Sequence, residues 1–277
     1  MEILFIILFC GGILAGFVGS LTGLGGGVVV IPLLAIGLGF DMRYAIGTAL
    51  VTSIATSSGA AAAYIRERIT NIRIGMLLEI ATTAGAVFGA LIAVYLDKKY
   101  IAVIFGCVLI FSAIRTVLKR ETKHSDSSAS KLAEKLNLNG CYPAANSKII
   151  DYKVKNVAGG FSIMTLAGAL SGLLGIGSGA FKVLAMDTVM KIPFKVSTTT
   201  SNFMVGVTAA ASAVVYLQRG YIDPGLAMPV VTGVLSGAYF GSKILPKASA
   251  KKLRLLFGIM ILSLSILMIY NGLTDKM

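Results

Sequence analysis

The chain has 277 residues, 56% of them hydrophobic and only 13% charged, with a mean hydropathy of +0.85. A soluble domain carries about 25% charge, so this composition excludes a soluble globular protein and points to an all-α integral membrane protein. The net charge of +13 does not signal a nucleic-acid partner, because the Lys and Arg sit in short stretches between apolar runs, where they set membrane topology.

The first apolar segment, residues 3–39, carries no charge from Ile3 to Phe40, yet it is interrupted by Gly23-Leu24-Gly25-Gly26-Gly27. Four glycines in five positions disfavour a helix by roughly 1 kcal/mol each against Ala. Irregular backbone at membrane depth survives only where it packs in protein or lines a wet cavity. Two readings follow: small residues that let helices pack closely, or a broken helix whose freed amides face a solute. Met1-Glu2 is no basic leader, and a copy of the segment recurs mid-chain, so the segment reads as part of the fold. Apolar helices are predicted at 45–65, 73–96 and 99–118. A hydrophilic stretch, 119–155, then separates residues 1–118 from 156–277. Within it, 130–138 predicts a short helix and 149–154 a brief strand. Broken segment 157–190 and helices 196–217, 224–245 and 250–272 complete the chain. Each full helix is long enough to cross a ~30 Å hydrocarbon core.

Sliding the chain by 152 residues aligns 15–112 with 167–264 without a gap. Gly23, Gly25 and Gly27 meet Gly175, Gly177 and Gly179; Thr48 meets Thr200, and Tyr64 meets Tyr216. The chain therefore reads as two repeats of about four membrane segments, the first of each broken at glycines. Topology follows from the basic residues. If each broken segment crosses once, the two sides hold 14 and 10 Lys/Arg; if each turns back, the split becomes 19 to 5. The second count obeys the positive-inside rule far better. It predicts inverted repeats, a cytoplasmic 119–155 linker, both termini outside, and a multi-pass protein of the cell membrane.

Inverted repeats with discontinuous helices put a site near the midplane. Helix starts after Gly23, Gly25, Gly26 and Gly27 and after Gly175, Gly177, Ser178 and Gly179 would offer amides and positive dipole ends to an anion. Thr22, Thr48, Thr52, Thr200, Ser201 and Asn202 supply polar side chains nearby, although hydroxyls of this kind also bond their own i−4 carbonyls. Lys182 lies too deep for an ordinary loop lysine and has three readings: anion contact, a pair with Asp187, or snorkelling. Glu79 is a proton-coupling candidate or an interfacial partner of Arg73. Three cysteines without ligand spacing and a lone His124 in the linker leave no metal site, and no nucleophile–base pair or nucleotide loop suggests an enzyme.

At Gly19–Gly27, at Pro32 shortly after, and at Ala45-Ile46-Gly47-Thr48, with a weaker copy in the second half, the chain resembles the TauE/SafE family of membrane permeases. Ala49 stands where a hydroxyl is expected after Gly-Thr, and the second break reads Gly-Ser-Gly. The resemblance implies transport, and export, of small sulfur-containing anions such as sulfite or an organosulfonate. The residues themselves point to a small anion. The expected mechanism is alternating access in a secondary transporter, with an anion channel or uncoupled facilitator as the alternative. Candidate partners are the anion, the lipid bilayer, H⁺ as coupling ion and a second copy of the chain, with no cofactor.

Overall fold

Glycine decides where the first helix stops. The computed structural model describes residues 2–93, 95–97, 130–143, 149–175 and 179–245, with scattered residues between 100 and 114 and between 249 and 270. Helix α1, Glu2–Thr22, ends where Gly23 and Gly25 take φ of +76° and +77°, a region that side chains disfavour. A short α2, Gly27–Pro32, follows and widens into a π turn, Leu33–Gly37. Helix α3, Met42–Arg66, begins earlier than the apolar pattern predicts because Asp41 caps it, accepting a hydrogen bond from the Arg43 amide at 2.9 Å. Helix α4 runs Ile72–Ala93, with the Asn71 side chain accepting from the Ile74 amide.

The second half opens with α6, Val157–Leu174, closed by Gly175 at φ +69°. Helix α7, Gly179–Leu184, again runs into a π turn, Ala185–Val189. Then come α8, Phe194–Gln218, and α9, Pro224–Ile244. The bounds repeat at the predicted spacing: α2 and α7 begin at 27 and 179, the π turns at 33 and 185, α3 and α8 at 42 and 194. The predicted helices 99–118 and 250–272 fall largely outside the described residues. Among the described residues five helices, α1, α3, α4, α8 and α9, are long and apolar enough to cross a membrane, so this is a multi-pass, mostly helical membrane protein.

Two close helix pairs organise the packing. Gly12 lies against Val230 and Gly233, Gly16 against Val234, and Gly237 against Ile13, so α1 and α9 touch backbone to backbone. Gly85 and Gly89 meet Thr165 and Ala169, while Gly168 and Gly172 meet Thr82 and Ala86, so α4 and α6 do the same. In both pairs the partner numbers rise together, which means that the paired helices run in the same direction. Helices α3 and α8 run oppositely: Ser57 donates to the Phe203 carbonyl at 3.4 Å, while Tyr44 packs edge-on against Tyr221 just past the far end of α8. The helices thus form two groups, α1, α2, α3 and α9 against α4, α6, α7 and α8. Each group draws on both halves of the sequence, and the groups meet along α3 and α8.

The hydrophilic stretch builds a small cap. Helix α5, Lys131–Lys135, and an antiparallel hairpin of β1, Gly140–Pro143, and β2, Ile149–Tyr152, occupy its described part. Ala133, Leu138, Tyr152 and Val154 are buried against Ile74, Met164, Met190 and Met204. Asn71 fastens the cap to the start of α4, donating to the Leu138 carbonyl at 3.0 Å and to the Tyr152 hydroxyl at 2.8 Å. Burial pushes the Tyr152 phenol up to about 12, with the Asn71 hydrogen bond opposing the shift. The described part of the cap packs on α4, α6, α8 and the second π turn.

Candidate functional site

The two glycine breaks cross each other. Gly27 lies against the carbonyl of Gly175, and Gly179 lies against Gly23 and Leu24. These are one contact seen twice, since 23 and 175, and 27 and 179, are equivalent positions. A side chain at Gly179 would overlap the Gly23 carbonyl, so only glycine admits this approach. The helix starts at Gly27 and Gly179 therefore open at one buried point. Gly177 and Ser178 lie outside the described residues.

Side chains from α3 and α8 brace the crossing. The Ser201 hydroxyl faces two carbonyls, Gly23 at 2.8 Å and Gly179 at 3.3 Å, one from each break. The Asn202 amide donates to the Ser20 carbonyl at 2.7 Å, and the Tyr64 hydroxyl donates to the same oxygen at 2.9 Å. Tyr216, the equivalent of Tyr64, donates to Gly172, the equivalent of Ser20, at 3.5 Å. The Gly26 amide, freed by the break, donates to Thr56 at 3.1 Å. Thr56 itself donates to the Thr52 carbonyl of its own helix at 2.8 Å, so one hydroxyl joins α3 to the first break.

Not every predicted side chain converges. Thr22 donates to the Val18 carbonyl and Thr52 to that of Ala49, each within its own helix. Thr200 accepts from the Asn71 amide at 3.1 Å, so it serves the start of α4. Buried polar atoms nevertheless remain without a hydrogen-bond partner: Thr48 Oγ1, Ser53 Oγ, Thr198 Oγ1 and Asn202 Oδ1. Ser53 lies beside Gly25 and Gly27, and Thr198 lies against Gly23. Orphaned groups in a dry core cost about 1–3 kcal/mol each, and the two hydroxyls beside the breaks, Ser53 and Thr198, suit a polar solute.

Lys182 is fully buried on α7, and Glu79 on α4 is 8% exposed. Their charged groups approach to 3.5 Å. Thr208 on α8 joins them, accepting from the Lys182 ammonium and donating to Glu79 Oε1 at 2.5 Å. Thr83 donates to the same oxygen at 3.1 Å. Arg73 is occupied elsewhere, donating to the Asn137 carbonyl of the cap at 3.2 Å. Thr208 was not among the predicted residues. The available signal was the repeat itself, because its equivalent is Thr56, the hydroxyl that holds the first break.

Comparison with known proteins follows the same lines. The family model described as "Sulfite exporter TauE/SafE" matches residues 8–268. The chain is 28% identical over 275 residues to "Probable membrane transporter protein YunE" of Bacillus subtilis (strain 168), covering 97% of this chain and 98% of that one. It is 26% identical over 252 residues to "Probable membrane transporter protein YdhB" of the same organism, covering 90% and 93%. A third relative, "Probable membrane transporter protein MJ0441" of Methanocaldococcus jannaschii, is 24% identical over 260 residues, 88% of each chain. No solved structure matches the chain. With a family model spanning nearly all of its length, the chain belongs to the sulfite exporter TauE/SafE family and is a membrane transporter.

Proposed function

We propose that this protein is a secondary transporter that exports a small sulfur-containing anion, sulfite or an organosulfonate, by alternating access between inverted repeats. The observation that carries the reading is the crossing of the breaks. Two helix starts, at Gly27 and Gly179, meet there beside the unpartnered hydroxyls of Ser53 and Thr198. Helix starts and oriented amides favour negative charge. The anion sits at the crossing, within reach of the Ser53 and Thr198 hydroxyls.

Helix directions support the inversion. Helix α1 runs with α9, while α9 returns from α8 over the short turn Arg219–Asp223; α8 in turn runs with α4, since Asn71 meets Thr200 and Glu79 meets Thr208, and α6 runs with α4. Each element of one half is then opposed to its equivalent. Gly11 against Leu33 and Gly26 near Ala15 support the turn-back of the broken segment. On this reading residues 1–118 and 156–277 are the repeats, and 119–155 is a cytoplasmic linker. The bodies that rock are the two mixed helix groups, hinged where α3 meets α8, and the cap rides on the second group.

Sulfite flux in proteoliposomes tests the proposal. Saturable uptake that accelerates when sulfite is present on the far side is the expected result. Non-saturating currents would identify a channel, and the absence of any sulfite or sulfonate flux would remove the reading.

A further inference from the structure

The charge pair has no counterpart in the other repeat. The positions equivalent to Lys182 and Glu79 hold Val30 and Val231, and both valines pack in the main apolar core. Only the hydroxyl is common to both halves, as Thr208 and Thr56. This fold therefore makes the same junction from two valines. Apolar residues of similar volume often equal or exceed a buried ion pair in stability, because desolvating two charges offsets their attraction. Stability alone does not call for Lys182 and Glu79.

Position indicates a use. Lys182 lies three residues, about one helical turn, past Gly179, whose backbone touches the first break at Gly23. The two Glu79 oxygens differ: Oε1 accepts from Thr208 and Thr83, whereas Oε2 accepts no hydrogen bond and faces the ammonium at 3.5 Å. With Glu79 ionised, the Lys182 charge is cancelled, and an anion at the crossing meets no net positive charge. With a proton on Oε2, the ammonium is left uncompensated beside the crossing. A buried unpaired charge is costly, and an arriving anion relieves that cost. Proton and anion thus each favour the other's binding, and linkage makes the effect reciprocal. The other charged groups on the elements around the pair, Asp187 on the π turn and Lys195 at the start of α8, have interactions of their own, and Arg73 is held by the cap.

We propose that Glu79 and Lys182 form a charge-exchange site at which one proton must load for one anion to bind, so that proton and anion cross in the same direction. The proposal rests on the anion site inferred above. In the loading step, Glu79 Oε2 takes H⁺ from water on the open side and forms an O–H bond, while Lys182 keeps its own proton. On the other side the anion leaves, the O–H bond breaks and the proton returns to water. One H⁺ with one monoanion carries no net charge. Export by this device takes a proton out with each anion and is driven by the anion and proton gradients together.

Methanesulfonate is the probe, because it stays ionised and carries no proton of its own. In proteoliposomes an inward methanesulfonate gradient is expected to acidify the lumen by one proton per anion, with no response to an imposed membrane potential. Methanesulfonate exchange should fall on the alkaline side by up to about tenfold per pH unit. Glu79→Gln is expected to abolish the acidification and leave an exchange rate that no longer varies with pH. Lys182→Gln loses anion and proton movement together. Should that variant misfold, Lys182→Gln/Glu79→Gln carries the same test, with the charge pair removed in full and proton movement again absent. Methanesulfonate crossing the wild type without protons, or acidification persisting in Glu79→Gln, overturns the coupling and leaves transport standing. If neither methanesulfonate nor sulfite crosses the wild type, the anion reading falls and the coupling with it.

Discussion

Ser201 donates its hydroxyl to the Gly23 carbonyl at 2.8 Å, joining residues 178 positions apart. Its second acceptor, Gly179, belongs to the other break, so one hydroxyl bridges the starts of both short helices. Ser201→Ala leaves buried carbonyls short of a donor, at about 1–3 kcal/mol. The expected result is a lowered unfolding temperature in detergent, with sulfite flux reduced by more than the loss of folded protein explains. An unchanged unfolding temperature would show that the bridge contributes little.

Glycines in tight and in open surroundings respond differently to a methyl group. At Gly16 a side chain would run into the Val234 backbone of α9, whereas at Gly37 the nearest atoms lie 3.9–4.0 Å away. Gly16→Ala must push α1 and α9 apart, at about 1–3 kcal/mol, and should reduce the monodisperse fraction in gel filtration. Gly37→Ala should match the wild type. Equal behaviour of the two variants would contradict the close packing.

On the inverted arrangement, the ends of α3 and α8 lie on opposite sides of the membrane. Arg66 and Gln218 are equivalent, and both are exposed. After replacement of Cys10, Cys107 and Cys141, Arg66→Cys and Gln218→Cys should be labelled by an impermeant maleimide from opposite faces of oriented membranes. Labelling from the same face would establish parallel halves.

The cap carries its own pH response. Burial raises the Tyr152 phenol from about 10 to about 12. A folded-state value above the unfolded one means that the neutral phenol's contribution is complete below about pH 10. It is lost as the pH rises through about 12. Limited proteolysis of residues 130–154 should therefore speed up over that window in the wild type. Tyr152→Phe removes the ionisation and should flatten this part of the profile. It also removes the oxygen that accepts from Asn71, so cleavage below pH 10 should already be modestly faster.

Much of this architecture is written in local patterns. Gly23 and Gly25 mark the end of α1 because positive φ is a property of the residue itself. The apolar runs specify long helices because lipid forces every backbone group to pair within its own segment. The 152-residue spacing of Gly23, Gly27 and Tyr64 to Gly175, Gly179 and Tyr216 needed no structure to detect. Asp41, by contrast, started α3 three residues before the predicted 45, since a cap signal is easily missed where apolar residues run on from it.

Partnership was decided by the tertiary structure. Nothing local says that the break at Gly23 lies on Gly179, or that Lys182 meets Glu79, 103 positions earlier. Helical periodicity records which face of a helix is apolar, not which face it meets. Thr200 and Ser201 are neighbours with similar hydroxyls, yet one holds the start of α4 and the other the two breaks; a step of about 100° around a helix separates those roles. The sequence by itself determined that two glycine-broken helices lie in a membrane. Their crossing, with a charge pair one turn away, required close approach of distant backbones, a property of packing alone.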